Sequence, residues 1–408
     1  MRLTARILVT YLALTLLFTG AMTAAFCIPT SAIDANAKQS VEQVTADGKM
    51  FTLSIGPVEP YKLGVFSDCL ILGIAYCGDS SHPLQSAMSD KFMMKDGSPI
   101  VGARQMFDAD SISRLQPVIY SRYWHGNQVV IRPLLCVTTV HGIRIINIVL
   151  LAVLWLALLV VMWRRTDPAS ALIVMLCLAA VMIPSIPLCL NYVSTFIIAL
   201  TASLVILLWR PATASRDNTV ITFMVIGAVT TFLDLLTTPL VTMAVPLVAY
   251  MLQRRPQRTW RTVIILSLAW LLGYASLWAT KWLLAALITG HATLTDAMGA
   301  VTQRTVGHDE GDYMLWCLKA TAIIFTTVCL LTAAVSALFA KSRLALRRHS
   351  WMLLVALSSF VWAFVLLEHT WHHLHFTWRT FVVLAIGIGL YWRHTLELKH
   401  LNNNDKRL

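Results

Sequence analysis

An all-α, polytopic membrane protein is the fold class this chain predicts, with about ten transmembrane helices and one large extracytoplasmic loop between the first and second. Three observations predict it. Of 408 residues, 57% are apolar and only 13% charged, far from the balance of a soluble domain. Apolar runs of about 20 residues recur, each long enough at 1.5 Å per residue to cross ~30 Å of hydrocarbon. Such runs must be helices, because lipid offers no partner to a bare backbone N–H or carbonyl. The basic residues also cluster between alternate runs, as they do in cytoplasmic loops. Together these exclude a water-soluble enzyme.

Residues 1–27 form a basic start and a first apolar run, read as an uncleaved span. Residues 28–142 form the outer segment. In it, Ser31 to Gly48 reads as loop or short helix, Met50 to Ile55 as a short strand, and Leu70 to Tyr76 as a helix begun by Ser67-Asp68. Ile119 to Leu135 mixes aromatic, Arg and apolar residues, which predicts an interfacial helix with Pro133 in a first turn. Cys69 and Cys77 lie in this outer segment, where a disulfide is one alternative. Residues 143–393 form the membrane domain. Its spans are expected near 143–163, 169–187, 192–209, 220–233, 239–252, 262–289, 313–340, 351–367 and 376–392. Residues 394–408 are a cytoplasmic tail, so both termini lie inside a multi-pass cell-membrane protein.

The formal charge of +12 does not point to nucleic acid. With these loops, 18 Lys and Arg against 4 Asp and Glu fall inside, a net of +14, which leaves −2 outside. The basic character therefore belongs to topology and to anionic inner-leaflet lipid.

Most histidines and many carboxylates fall at the outer ends of the spans. Polar groups beside hydrocarbon are costly and mark sites or pathways, so an outward-opening cavity is expected. Asp68, in Phe66-Ser67-Asp68-Cys69, suits a general base beside an apolar helix; capping that helix is the plainer role. Arg122, His125 and Arg132 suit phosphate recognition, or simply snorkel toward headgroups. Asp234 stands at a hairpin tip, where it lines the cavity or starts the next helix. Lys281 lies within a span and needs a partner, Asp234 or a lipid phosphate. His369 and His372 share the histidine-rich turn with Arg379, a turn open to phosphate contact, metal or packing. The Gly307 to Asp312 loop reads as solvated. No cofactor motif is present; a divalent cation is retained as the one candidate cofactor.

The order of first span, large outer loop with an early acid, and interfacial aromatic–Arg segment resembles the GT-C glycosyltransferases. The residues that carry the likeness are Phe66-Ser67-Asp68 and Arg122-Tyr123-Trp124-His125-Gly126 with Arg132-Pro133-Leu134-Leu135. Many members carry two adjacent acids where Cys69 follows Asp68 here. The resemblance implies a polyprenyl-phosphate-linked sugar as donor and a glycan or wall polymer as acceptor. It implies Asp68 as base and Arg122, Arg132, Lys281 or Arg379 as phosphate holders. A transporter or flippase of a lipid-linked or anionic substrate, and a non-catalytic membrane subunit, are the alternatives from other classes.

Overall fold

A computed structural model describes residues 2–48, 59, 61–253, 259–306 and 311–396. The outer segment follows the first helix, α1 (Leu3–Phe26). It carries α2 (Asp34–Asp47), α3 (Val65–Tyr76), α4 (Pro83–Ser89), β1 (Phe92–Met94), α5 (Pro99–Gln105), α6 (Ala109–Ile112), β2 (Gln116–Val118) and α7 (Gln128–Leu135). The helices α8 (Val140–Arg165), α9 (Pro168–Met182), α10 (Val193–Leu208), α11 (Arg210–Thr213), α12 (Arg216–Leu233), α13 (Leu240–Gln253) and α14 (Trp260–Thr289) come next. The chain then forms α15 (Thr293–Val306), α16 (Gly311–Phe339), α17 (Arg343–His349), α18 (Trp351–Val365), α19 (Leu367–His372), α20 (Leu374–Thr377) and α21 (Val382–Thr395). β1 and β2 pair antiparallel, Phe92 opposite Val118.

Each predicted span is helical over most of its length, although the one expected near 169–187 stops at Met182 and the one near 376–392 is made of successive helical pieces. Five helical stretches are long and apolar enough to cross a membrane, or six if the bent pair α17–α18 is one span. The helices α9, α10 and α13 are apolar but shorter. Local chemistry sets the ends. Asp167 caps α9 by accepting the Ser170 N–H at 3.0 Å, with Pro168 at the first helical position. Gly290, at φ 72°, ends α14 in the left-handed conformation that glycine adopts without strain.

The apolar core has two parts that matter for the site. One fills the space among the long apolar helices from α8 onward, and the other lies inside the segment of residues 28–142, between α2, α3, α5 and α7. Among the membrane helices, α12 and α14 pack backbone to backbone. A Cβ on Gly273 would stand 1.9 Å from the Met224 carbonyl oxygen, and one on Gly227 2.0 Å from that of Trp270. Small residues allow this approach where no hydrophobic effect drives helices together. Gly273→Leu is expected to push α12 from α14 and cost about 1–3 kcal/mol. A lowered unfolding midpoint in detergent checks this; an unchanged midpoint counts against the close crossing.

Several expectations are corrected. For Ser31 to Gly48 the helical alternative holds and the loop alternative does not, since most of it is the 14-residue α2. Ile119 to Leu135 is not one helix: only Gln128–Leu135 is helical, and Pro133 is near its end rather than in its first turn. The reason is tertiary. His125 sits at φ 50°, the Gly126 N–H donates to the Phe232 carbonyl at 2.8 Å, and Trp124 Nε1 donates to the Leu277 carbonyl at 2.7 Å. Cys69 and Cys77 are both free. They lie on α3 and its end, about 12 Å apart by helical rise, beyond disulfide reach. Met50 to Ile55 and most of the Gly307–Asp312 loop lie outside the described residues.

Candidate functional site

A cavity of about 560 Å³ opens where the segment of residues 28–142 meets α15, the histidine-rich turn and the loops at Asn191 and Leu235. Lys62 to Ser67, leading into α3, form one wall. Tyr120 and Tyr123 form another, Arg304 of α15 a third, and His369, His372, His373 and His375 a fourth. Asn191 and Leu235 close the side toward the membrane helices.

α15 is held against the Tyr120–Asn127 turn at several points. Ser121 and Thr293 share a 2.8 Å hydroxyl hydrogen bond, and Arg122 Nη1 donates to both Asp296 oxygens at 2.9 Å. Trp282 Nε1 donates to the Arg122 carbonyl at 2.9 Å. These contacts bring Arg304 to 5.6 Å from the Tyr123 ring centroid. No carboxylate among the described residues pairs with Arg304. Lys62 pairs with Glu59 at 2.6 Å.

The histidines contribute hydrogen-bonding capacity rather than charge. Burial pushes His369 down to about 3 and His373 down to about 2, so both rings are neutral near pH 7. His369 Nε2 lies 2.9 Å from the Leu236 carbonyl, which makes that nitrogen the donor. His373 stacks on Phe376, while His372 is largely exposed, 3.8 Å from Glu368. Fixed positive charge in the cavity therefore comes from Lys62 and Arg304. Among the described residues no three His, Cys, Asp or Glu side chains are grouped to hold a metal.

Asp68 is completely buried, in the first turn of α3. It does not cap that helix. One carboxylate oxygen accepts the Asn191 N–H at 3.3 Å, and the other has no partner. Burial pushes its carboxyl up to about 7, against the opposing pull of Arg144 and of the Leu190 and Asn191 N–H groups. Its chain neighbour Ser67 and its acceptor-bond partner Asn191 both line the cavity, so the acid stands directly behind the wall.

The remaining predicted site residues have other partners. Arg122 is bound to Asp296, and His125 is buried between the Tyr120 and Tyr123 rings. Arg132 is buried with its N–H groups on the carbonyls of Ala25, Ala75 and Ile28, tying α1, α3 and α7 together. Asp234 accepts the Thr237 N–H and hydroxyl, a turn-forming role. Lys281 pairs with Asp90 instead of Asp234: its ammonium lies 2.7 Å from that carboxylate, both side chains fully buried. Arg379 binds the Val181 and His375 carbonyls and Ser185 Oγ.

Arg304, Lys62 and Arg144 were not singled out from the sequence. Arg304 had a readable signal, because Asp296 in the first turn and Arg304 in the last turn of one short stretch suit a helix dipole. Arg144 had none. It reaches Asp47 and the Leu188 carbonyl, partners 97 and 44 residues away.

No family model matches the chain, and no curated protein or solved structure is detectably similar to it.

Proposed function

We propose that the protein is a membrane glycosyltransferase that moves a sugar from a polyprenyl-phosphate carrier to a glycan or wall-polymer acceptor on the outer face, with Asp68 as general base. In this reading α1, α8, α9, α10, α12, α13, α14, α16, α18 and α21 make ten crossings of the cell membrane, with both termini cytoplasmic.

One juxtaposition carries the reading: a buried acid with an unpartnered oxygen, directly behind the wall of a cavity that holds two cations. An acid titrating near 7 is matched to proton abstraction at neutral pH. Asp68 takes the proton of the acceptor hydroxyl once the Ser67–Asn191 wall parts. The acceptor oxygen bonds to the anomeric carbon as the bond from that carbon to the carrier's phosphate oxygen breaks, which inverts the sugar. The leaving phosphate gains negative charge, and Arg304 and Lys62 stabilise it. The phosphate-holding role thus falls first to Arg304, which faces no carboxylate among the described residues, and then to Lys62, whose partner Glu59 is partly exposed, rather than to Arg132, Lys281 and Arg379, whose donors face buried internal partners.

Mass spectrometry of surface glycans and lipid-linked sugars after gene deletion tests the function. A missing glycan with carrier-linked sugar accumulating in the outer leaflet is expected. Accumulation confined to the inner leaflet indicates a flippase and overturns the reading. Complementation with Arg304→Ala is expected to restore product about 10²–10³-fold less efficiently at normal expression; full restoration removes Arg304 from the mechanism.

A further inference from the structure

A second void lies at some distance in character from the first. It is an apolar groove of about 650 Å³ between α10 and α12. On α12 its lining recurs at Asn218, Ile221, Val225, Val229 and Leu233, one face of the helix, about 22 Å long at 1.5 Å per residue. Ile198, Thr201 and Val205 of α10 face it. Such a dry apolar trough within membrane helices is filled by hydrocarbon rather than water.

The groove carries a charged side chain at one end only. There Arg6 of α1 lines it, with Nη2 on Asn218 Oδ1 at 2.8 Å and no carboxylate partner among the described residues. Trp209, 60% exposed, stands beside it, an aromatic at the depth where headgroups lie. Arg210 and Arg216 belong to the same loop, with Asp217 the one acid there. This end is opposite the cavity of Lys62 and Arg304, because α12 runs from Arg216 here to Leu233 there.

We propose that this groove is a lipid site, filled by a hydrocarbon chain of an anionic glycerophospholipid whose phosphate lies against Arg6 at the cytoplasmic surface. The apolar trough accounts for the chain, and the guanidinium at its mouth, held by Asn218 but facing no carboxylate among the described residues, for the charge. The inference is independent of the transferase reading.

Native mass spectrometry of the full-length protein in detergent tests it, with phosphatidylglycerol, phosphatidylcholine and polyprenyl phosphate as probes. Phosphatidylglycerol is expected to be retained in preference to phosphatidylcholine. Arg6→Ala is expected to reduce its retention about fivefold, the worth of one basic residue near an anionic headgroup, and Arg6→Lys to preserve it. Val225→Phe, which fills the trough, is expected to remove bound lipid; Thr201→Phe does the same from the facing helix if the first variant is not monodisperse. Equal retention of both phospholipids means ordinary annular lipid and overturns the proposal. So does displacement by polyprenyl phosphate that is indifferent to Arg6.

Discussion

Asp68→Asn is expected to lower sugar transfer by about 10²–10⁴-fold, the usual contribution of a positioned general base. Asn keeps the size of the side chain and can still accept the Asn191 N–H, so expression and membrane insertion should be normal. The pH dependence supplies a sharper test. With its carboxyl pushed up to about 7 by burial, wild-type transfer should climb as pH rises through that value and level off above it. The variant's residual activity should lack this limb. The stability consequence has the opposite sign. A carboxyl whose folded value lies above its unfolded value of 3.8 contributes stability that is fully present below that lower value. That contribution is lost as pH rises from 3.8 through about 7, because over that range the unfolded chain ionises freely while burial keeps the folded carboxyl protonated. Asp68→Asn, which cannot ionise, should therefore unfold at a temperature no lower than wild type at pH 8 while keeping only its residual transfer activity. Loss of a base and loss of the fold are thereby separated. Wild-type transfer rates from Asp68→Asn would remove the acid from the mechanism.

Lys281→Met is expected to destabilise the protein by about 3–5 kcal/mol, the cost of removing one member of a buried ion pair. Lys281 Nζ also donates to the Ala87 and Met88 carbonyls, at 2.8 and 3.2 Å. Its loss leaves Asp90 and two carbonyls buried without a donor. The same contact fastens α4 of the outer segment to α14 of the membrane domain, so the outer segment should loosen first. Adding Asp90→Asn should recover much of the loss by removing the uncompensated charge; Asn also tolerates the φ of 47° at that position. Thermal unfolding in detergent, with limited proteolysis of the outer segment, measures both effects. A single variant as stable as wild type would show that the ion pair is not what holds these parts together.

The helices were legible because the bilayer enforces a simple rule. A run of apolar residues must pair its own backbone groups, so its length and its basic flanks suffice to place it. Even the hairpin around Asp234 and Pro239 could be read, from a run too long for one span. The candidate site was legible only in part. The sequence marked Asp68 and the histidine-rich turn; the fold sets the turn in the cavity wall and Asp68 buried behind that wall. It ranked Arg132, Lys281 and Arg379 as phosphate ligands because each is a cation beside an apolar span. That argument recognises that such a cation needs a partner but not which one. Their partners lie as far as 198 residues away along the chain.

By itself the sequence determined the helical class and the positions of the apolar helices, both of which depend on local hydropathy. The tertiary structure alone decided which cations turn inward to carbonyls or to Asp90, and which, as with Arg304, reach a cavity. It also decided that Asp68 is sealed behind Asn191 instead of capping its own helix. A charged side chain near hydrocarbon takes whatever partner the packing brings within about 3 Å, and that proximity is a property of the folded chain, not of any local stretch.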